Sequence, residues 1–309
     1  MSAMDTGNKI AVLLMAYGTP RTREEIEPYY TDIRRGRVPT PEQLADLTAR
    51  YEALGGTSPL AARTEAQRAG LQLALDHAAP GRYHVVLGLK HAEPKVEAAV
   101  DQLAAEGFRQ IVGLVLAPHY SAFSIGQYLD RATTAAEPHG IVVRGIESWA
   151  MEPAFIEFVA HDLLAKLSTL PADTKVLFTA HSLPQRIISA GDRYPDELLA
   201  TAQAVAARVN LLEDQWSIAW QSAGRTPEPW LGPDILQVID ELAAQGTTGV
   251  LVSAVGFVAD HLEVLYDLDI EAAHRSAERG MAFARTACVN DNPAVMAALA
   301  QRVIETGSS

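Results

Sequence analysis

Short apolar runs alternate with longer amphipathic segments along the whole chain. The apolar runs are predicted strands, at residues 9–17, 83–90, 110–118, 141–148, 175–182, 216–223, 249–256 and 281–288. Their nearly continuous Val, Ile and Leu content is typical of strands covered on both faces. The intervening segments, such as 94–107 and 198–210, have helical spacing. The pattern predicts an α/β fold with parallel sheets, in two halves of four strand–helix units that join near residues 148–153.

Polar and aromatic residues follow most of the predicted strands. In parallel α/β sheets, ligands bind beyond the carboxyl ends of the strands, so these residues are expected to share one rim. The residues at or just beyond the carboxyl ends of the first, second, third, fifth and sixth strands are Tyr17, Lys90-His91, His119-Tyr120-Ser121, His181-Ser182 and Gln221-Ser222. The sequence thus predicts a binding rim that is rich in imidazole and hydroxyl groups.

An acidic stretch follows the seventh strand. Residues 256–271, GFVADHLEVLYDLDIE, contain five carboxylates and one histidine but no lysine or arginine. Glu263, Asp267 and Glu271 are spaced four apart and would lie along one face of a helix. Like charges at this spacing destabilise a helix by roughly 0.2–0.5 kcal/mol per pair, so the stretch is expected to face cations.

Composition narrows the class of protein. The 309 residues are enough for about two domains, and the net charge of −13 argues against a nucleic-acid surface. The single cysteine, Cys288, rules out an internal disulfide and a four-cysteine metal site. The apolar run 10–16 is too short to span a bilayer, and no signal peptide is evident. We expect a cytoplasmic protein without integral membrane association.

Several common catalytic motifs are absent from the sequence. It contains no G-x-G-x-x-G after the first strand, no Walker A loop, no G-x-S-x-G and no H-E-x-x-H. The remaining donors are imidazoles and carboxylates from separate strands. Such donors suit a borderline divalent metal such as Fe²⁺, Zn²⁺, Ni²⁺ or Co²⁺.

Seven segments together resemble the ferrochelatase family. They are MAYGTP (15–20), RYEALGGTSPL (50–60), GLKHAEP (88–94), LAPHYSAFSIGQYLDRA (116–132), AHSLP (180–184), AWQSAGRTPEPWLGPD (219–234) and GFVADHLEVLYDLDIE. The resemblance spans nearly the whole chain and is greatest to the soluble Gram-positive type, which inserts iron into coproporphyrin III. Tyr17 in AYGTP favours this type over the protoporphyrin IX enzymes. The cysteines that bind an iron–sulfur cluster in some relatives are absent, so no such cluster is expected.

The resemblance implies a chelatase-type architecture. Each half would be Rossmann-like, with a four-stranded parallel β-sheet flanked by helices and the active cleft between the halves. The first half would span 1–148, joined by a C-terminal helix in 290–309, and the second would span 149–289.

The resemblance also implies roles for residues on each half. His181 and Glu263 would be the catalytic residues and would bind the incoming iron, while Tyr17 would be the axial ligand of product iron. Asp267 and Glu271 would continue a metal-binding acidic ridge, where Mg²⁺ is also expected. The residues themselves leave other interpretations open. His181 fits a buried histidine bonded to the backbone equally well, and Glu271 fits an ion pair with Arg275.

Coproporphyrin III carries four propionates, and arginine matches a carboxylate with two parallel hydrogen bonds. The positions that the resemblance assigns to substrate binding are Tyr17, Arg34, Arg35, Arg50, Tyr51, Ser58 and Tyr128. Tyr51 and Trp230 fit core packing equally well, and Arg37 is interpreted as solvated.

The implied reaction is Fe²⁺ + coproporphyrin III → Fe-coproporphyrin + 2 H⁺, in haem biosynthesis and without an organic cofactor. Its partners would be the two substrates and a downstream coproheme-handling enzyme, and the missing C-terminal extension of the family favours a monomer. Protoporphyrin IX is the alternative substrate. The alternative proteins are a cobalt or nickel chelatase for a sirohydrochlorin-like ring, a non-catalytic tetrapyrrole carrier and a two-domain sugar-binding protein. A carrier would need Tyr17 and the arginines but no acidic ridge.

Overall fold

The computed structural model describes residues 9–224 and 226–308 and divides the chain into two compact units. The first unit contains the chain up to Ala117, Ala122–Ser148 and the chain from Asn290 onward. The second contains Pro118–Ser121 and Trp149–Val289. The predicted halves differ from these units at Pro118–Ser121, a short segment that the sequence assigned to the first half.

The first unit is built on a four-stranded parallel sheet with strand order β2-β1-β3-β4. The strands are β1 (Ile10–Ala16), β2 (Tyr83–Leu89), β3 (Gln110–Val115) and β4 (Val142–Ile146). The helices are α1 (Ile26–Ile33), α2 (Pro41–Ala53), α3 (Leu60–Ala78), α4 (Val96–Ala105), α5 (Ile125–Ala136) and, at the end of the chain, α12 (Pro293–Ser308). Every residue of the central strand β1 is buried, as its unbroken apolar sequence predicts.

The second unit repeats this plan with strand order β6-β5-β7-β8, again all parallel. The strands are β5 (Lys175–His181), β6 (Trp216–Gln221), β7 (Gly249–Ser253) and β8 (Ala282–Arg285). The helices are α6 (Pro153–Leu167), α7 (Arg186–Ser189), α8 (Tyr194–Arg208), α9 (Ile235–Ala244), α10 (Leu262–Val264) and α11 (Ala273–Glu278), with a π-helix at Leu265–Ala272 between the last two. Short 3-10 turns lie at Arg23–Glu25, Glu137–His139 and Glu213–Gln215.

All eight predicted strands are present, so the predicted α/β class with two four-stranded parallel sheets is confirmed. Each observed strand is shorter than predicted. For example, β1 ends at Ala16 and leaves Tyr17 in the following loop. Within residues 9–224 and 226–308, none of the helices combines the length and apolar character needed to cross a bilayer.

Two local features hold the first unit's outer elements in place. The side chain of Asn292 accepts hydrogen bonds from the backbone N–H groups of Ala294 (3.1 Å) and Val295 (3.2 Å) and so caps the start of α12. Gln72 on α3 bonds to the backbone of edge strand β2, accepting from Val85 N–H at 2.8 Å and donating to Tyr83 O at 3.2 Å. The side-chain amide thereby takes the place of a neighbouring strand along this edge.

The edge contact predicts an asymmetric effect of two glutamine substitutions. Gln72→Leu leaves a backbone donor and a backbone acceptor of β2 without their partner, so we expect the free energy of unfolding to fall by about 1–3 kcal/mol. Urea unfolding monitored by far-UV circular dichroism measures it. Gln237→Leu is the control, because the exposed Gln237 side chain bonds to Glu241 in the next helical turn, and it should change stability by less than about 0.5 kcal/mol. Equal losses in the two variants would contradict the assignment.

Candidate functional site

His181 and Glu263 meet in the second unit, although 82 residues separate them in the sequence. His181 is the last residue of β5, and Glu263 lies in α10, which follows the loop after β7. The distance from His181 Nε2 to Glu263 Oε1 is 3.5 Å, and the two side chains remain 33% and 36% exposed. The structure therefore brings together the two predicted catalytic residues as a partly open ion pair.

Neighbouring groups fix the orientation of this pair. His181 Nδ1 lies 2.5 Å from Ser182 O, and the Tyr194 hydroxyl donates to His181 O at 3.1 Å. Because Nδ1 donates to a carbonyl, Nε2 is the nitrogen presented to Glu263. The second carboxylate oxygen of Glu263, Oε2, lies 3.6 Å from Nε2 of His261. Glu263 thus lies between two imidazoles.

The charges of the pair follow from these contacts. Burial alone would lower the pKa of His181, but the negative charge and hydrogen bond of Glu263 outweigh it and raise that pKa to about 9. Burial alone would raise the pKa of Glu263, but His181 and His261 hold it well below its usual range. At neutral pH the metal-free pair therefore consists of an imidazolium and a carboxylate.

The five acids of the segment 256–271 have different surroundings. Asp260 and Asp269 both contact Arg285 of β8, at 3.4 Å and 2.8 Å. Asp267 is buried and accepts a hydrogen bond from the Ser222 hydroxyl. The alternative interpretation of Glu271, an ion pair with Arg275, is not observed, because Arg275 contacts Asp240 and Glu278 instead. Arg285 thus supplies the positive charge that the segment itself lacks.

The predicted ridge coincides with the π-helix. The backbone N–H of Ala273 donates to Leu268 O, five residues earlier, as a π-helix requires. Among the described residues, no group of three or more His, Cys, Asp or Glu side chains is arranged to hold a metal ion. Mg²⁺ at the ridge stays a prediction.

A glycine allows the loop after β7 to approach β5. A Cβ added at Gly256 would lie 2.3 Å from Cβ and 2.6 Å from Cα of Ala180, the residue before His181. Any side chain at this position would push apart the strand end that carries His181 and the loop that leads to Glu263. Gly256 is a site residue that the motif GFVADHLE contains but that sequence reasoning did not single out.

Tyr17 lies in the first unit, directly after β1, and is 42% exposed. Its ring contacts the ring of His91, with 4.6 Å between centroids, and the edge of Tyr29 at 6.5 Å. His91 Nδ1 lies 2.6 Å from an Asp32 carboxylate oxygen, which Lys95 also contacts at 3.0 Å. The carboxyl ends of β1 and β2 therefore present a tyrosine supported by a histidine.

The first two predicted propionate-binding arginines lie at the end of α1. The guanidinium of Arg34 lies 5.5 Å from the centroid of the Tyr30 ring, and its Nε donates to Arg37 O at 3.1 Å. Arg35 follows in the left-handed region, with φ +57°. Among the described residues, neither Arg34 nor Arg35 forms an ion pair with a carboxylate. Both are therefore available to an anionic ligand.

The other predicted contacts are more closely tied to the protein. Arg50 lies 3.5 Å from Asp46 on α2. Tyr51 is 1% exposed, with its hydroxyl 3.3 Å from the Thr19 hydroxyl, which favours core packing. The buried Ser58 hydroxyl accepts from Leu60 N–H at 3.2 Å at the start of α3. Thr19 and Leu60, the partners of Tyr51 and Ser58, also line a cavity of about 410 Å³. Its other lining residues are Gly18, Arg21, Ala61, Ala62, Thr64, Glu65, Leu87 and Leu89.

Lys90 is a cation at this rim to which the sequence analysis gave no role. Its ammonium lies 5.1 Å from the centroid of the predicted ligand Tyr128 and donates to Gln127 Oε1 at 2.8 Å. Burial, followed by the charges of Arg131 and Arg35, lowers the pKa of Lys90 to about 8. Burial also raises the pKa of Tyr128, which stays neutral. The sequence signal that could have indicated a role for Lys90 is its position at the carboxyl end of the second strand.

Comparison with known proteins identifies the family. The sequence profile of the family described as Ferrochelatase matches residues 9–306. The chain belongs to the ferrochelatase family. It is accordingly an enzyme, a metal chelatase of the lyase type.

Relatives cover nearly the whole of this ferrochelatase. A protein named ferrochelatase from Herpetosiphon aurantiacus is 46% identical over 292 residues, which are 93% of this chain and 95% of the relative. A coproporphyrin III ferrochelatase from Geobacillus kaustophilus is 44% identical over 301 residues, 95% of each chain. The solved sirohydrochlorin chelatase from Bacillus subtilis subspecies spizizenii has a TM-score of 0.57 at 13% identity, covering 97% of this chain and 96% of that one. The last similarity shows the chelatase-type fold alone.

The ion pair in this ferrochelatase predicts an unusual titration. The raised pKa keeps the imidazole of His181 charged through neutral pH, and the charge is lost as the pH rises through about 9. In Glu263→Gln the largest raising charge is gone, while burial and the smaller effects of Ser182 and Asp267 remain, so the pKa of His181 should fall towards the ordinary value for histidine. Imidazole NMR signals of the metal-free protein, followed against pH, measure both. A pKa that Glu263→Gln leaves unchanged would show that another group holds the charge.

The close approach at Gly256 predicts damage to the same pair. In Gly256→Ala the added methyl group meets backbone atoms of Ala180, so β5 or the loop must shift. We expect a lower thermal midpoint and a lower pKa of His181, because the shift separates the imidazole from Glu263. A variant with an unchanged midpoint and unchanged His181 signals would contradict this role.

Proposed function

We propose that this chain inserts Fe²⁺ into coproporphyrin III, with release of two protons. The observation that carries the proposal is the ion pair between His181 and Glu263 at the end of β5. An imidazole supplies a ligand for a borderline divalent metal, and the adjacent carboxylate supplies a proton acceptor. The reaction balances without a redox step, since the ring loses two pyrrole protons and gains the dication.

Glu263 is the proposed base of this pair. Its carboxylate is the ionised member, whereas His181 is protonated in the metal-free protein and must lose its proton to solvent before it can bind iron. Asp267 and Glu271 continue the acidic segment, and we propose that they attract hydrated iron towards the pair. Asp260 and Asp269 are not assigned to this role, because Arg285 pairs with both.

The groups of the first unit support a substrate with several carboxylates. Arg34 and Arg35 lack carboxylate partners among the described residues, and Lys90 lies close enough to Arg35 for their charges to interact. We propose that these cations, with Arg50, Ser58 and Tyr128, bind propionates, of which coproporphyrin III has four and protoporphyrin IX two. The name of the relative from Geobacillus kaustophilus, coproporphyrin III ferrochelatase, favours the same substrate. Tyr17, which is exposed at the end of β1, is the proposed axial oxygen ligand of product iron.

The test compares two porphyrins and two pairs of variants. Purified protein is mixed anaerobically with Fe²⁺ and either coproporphyrin III or protoporphyrin IX, and the loss of free-porphyrin absorbance is followed. We expect rapid insertion with coproporphyrin III and a loss of about 100-fold or more in His181→Ala and Glu263→Gln. His274→Ala and Glu278→Gln are matched controls, since they alter an exposed His–Glu pair of the same unit.

Each outcome of this assay has a distinct meaning. If the control variants lose as much activity as His181→Ala, the pair of His181 and Glu263 has no special role in insertion. A preference for protoporphyrin IX would keep the reaction and overturn the proposed substrate. Tight binding of Fe-coproporphyrin with insertion no faster than without protein would overturn the catalytic proposal in favour of a carrier.

A further inference from the structure

Two consecutive residues at the end of β6 hold the acidic segment. The Gln221 side-chain amide donates to the backbone carbonyl of Glu263 at 3.3 Å. The hydroxyl of the next residue, Ser222, donates to a carboxylate oxygen of Asp267. The strand end therefore contacts two residues that lie four apart in the acidic segment, at the point where α10 becomes the π-helix.

The backbone of Ser222 has an unfavourable conformation. Its φ is +58°, in the left-handed region, which serine rarely adopts and which glycine or asparagine adopts at lower cost. A strained residue persists where the surroundings over-determine it, and such residues cluster at functional sites. Glycine would adopt this conformation without the strain. The presence of serine therefore indicates that its hydroxyl, which contacts Asp267, has a role.

Gln221 shows a second cost at the same place. The residue is 1% exposed, and among the described residues its Oε1 has no hydrogen-bond partner. Buried polar atoms are normally paired, so an unsatisfied one calls for an explanation. The amide contributes a donor to Glu263 O at the expense of its own carbonyl oxygen, which favours a positioning role over a stabilising one.

We propose that Gln221 and Ser222 are positioning residues that set the geometry of Glu263 and Asp267 for metal insertion. This inference rests on the function proposed above for Glu263. Gln221 fixes the backbone of Glu263, and therefore the distance of its carboxylate from His181. Ser222 holds one oxygen of Asp267, which keeps two like charges four residues apart in fixed orientations.

The test separates the hydroxyl donor from the backbone strain. Ser222→Gly relieves the left-handed strain and removes the donor, whereas Ser222→Asn tolerates the same backbone and restores a donor to Asp267. We expect Ser222→Gly to lose about 10-fold or more in kcat for iron insertion, with the porphyrin KM unchanged and the thermal midpoint little changed, because relief of the backbone strain offsets the loss of the hydrogen bond. Ser222→Asn should recover most of the loss.

One control, a second variant and an independent readout complete the experiment. Ala223→Gly, at the exposed next residue, should leave kcat unchanged. Gln221→Met, which keeps the side-chain length but not the donor, should lower kcat without changing the porphyrin KM. The NMR signals of the His181 imidazole should shift in Ser222→Gly, a readout that does not depend on turnover.

The possible failures are distinguishable. A kcat of Ser222→Gly within twofold of the unchanged chain would overturn the inference, as would equal losses in the glycine and asparagine variants. A kcat loss that comes with a lower thermal midpoint would show a structural role instead. If the unchanged chain itself inserts no iron, the proposed function fails, while shifted His181 signals in Ser222→Gly would still show that Ser222 positions the pair.

Discussion

The ion pair between His181 and Glu263 is the interaction on which the rest of the second unit's site depends. The two charges stabilise each other, since Glu263 raises the pKa of His181 and His181 lowers that of Glu263, although about one-third of each side chain is exposed to water. Neighbouring groups also fix each partner. Ser182 O and the Tyr194 hydroxyl hold His181, while His261 and the Gln221 amide hold Glu263. Attraction and positioning contacts together hold the two groups, and both stay accessible to a ligand.

The parallel sheets explain why these groups meet. In each unit, all four strands point the same way, so the residues that follow them collect at one edge. His181 and Gln221 end neighbouring strands β5 and β6 and are direct register partners. Tyr17 and His91 follow the paired strands β1 and β2 in the same manner. Residues that are far apart in the sequence thus become neighbours without any special local structure.

The sequence predicted this edge better than the contacts along it. The unbroken apolar runs correctly predicted all eight strands. The segments AHSLP and GFVADHLEVLYDLDIE pointed to His181 and Glu263. The alternative pairing of Glu271 with Arg275 is not observed, since the i,i+4 rule ignores Asp240 on α9, which contacts Arg275 at 2.7 Å. The sequence analysis also missed Arg285 as the cation that pairs with Asp260 and Asp269. Arg285 lies 22 residues beyond Glu263 and comes close to the acidic segment because β8 lies beside β7 in the sheet. Sequence spacing describes neighbours within an element, and these contacts join different elements.

The arrangement of the units along the chain has a consequence for biosynthesis. The first unit includes α12, which contributes Gly307 O as the acceptor for Gln110 of β3 and places Arg302 3.0 Å from Ser148 O. A ribosome that makes this chain completes the second unit's last strand before α12 has been synthesised. The first unit, although it begins the chain, is therefore the last to acquire all of its elements. The face of α3 that packs against α12 therefore stays uncovered until the whole second unit has been synthesised, and in that interval it is a surface that a nascent-chain chaperone could bind.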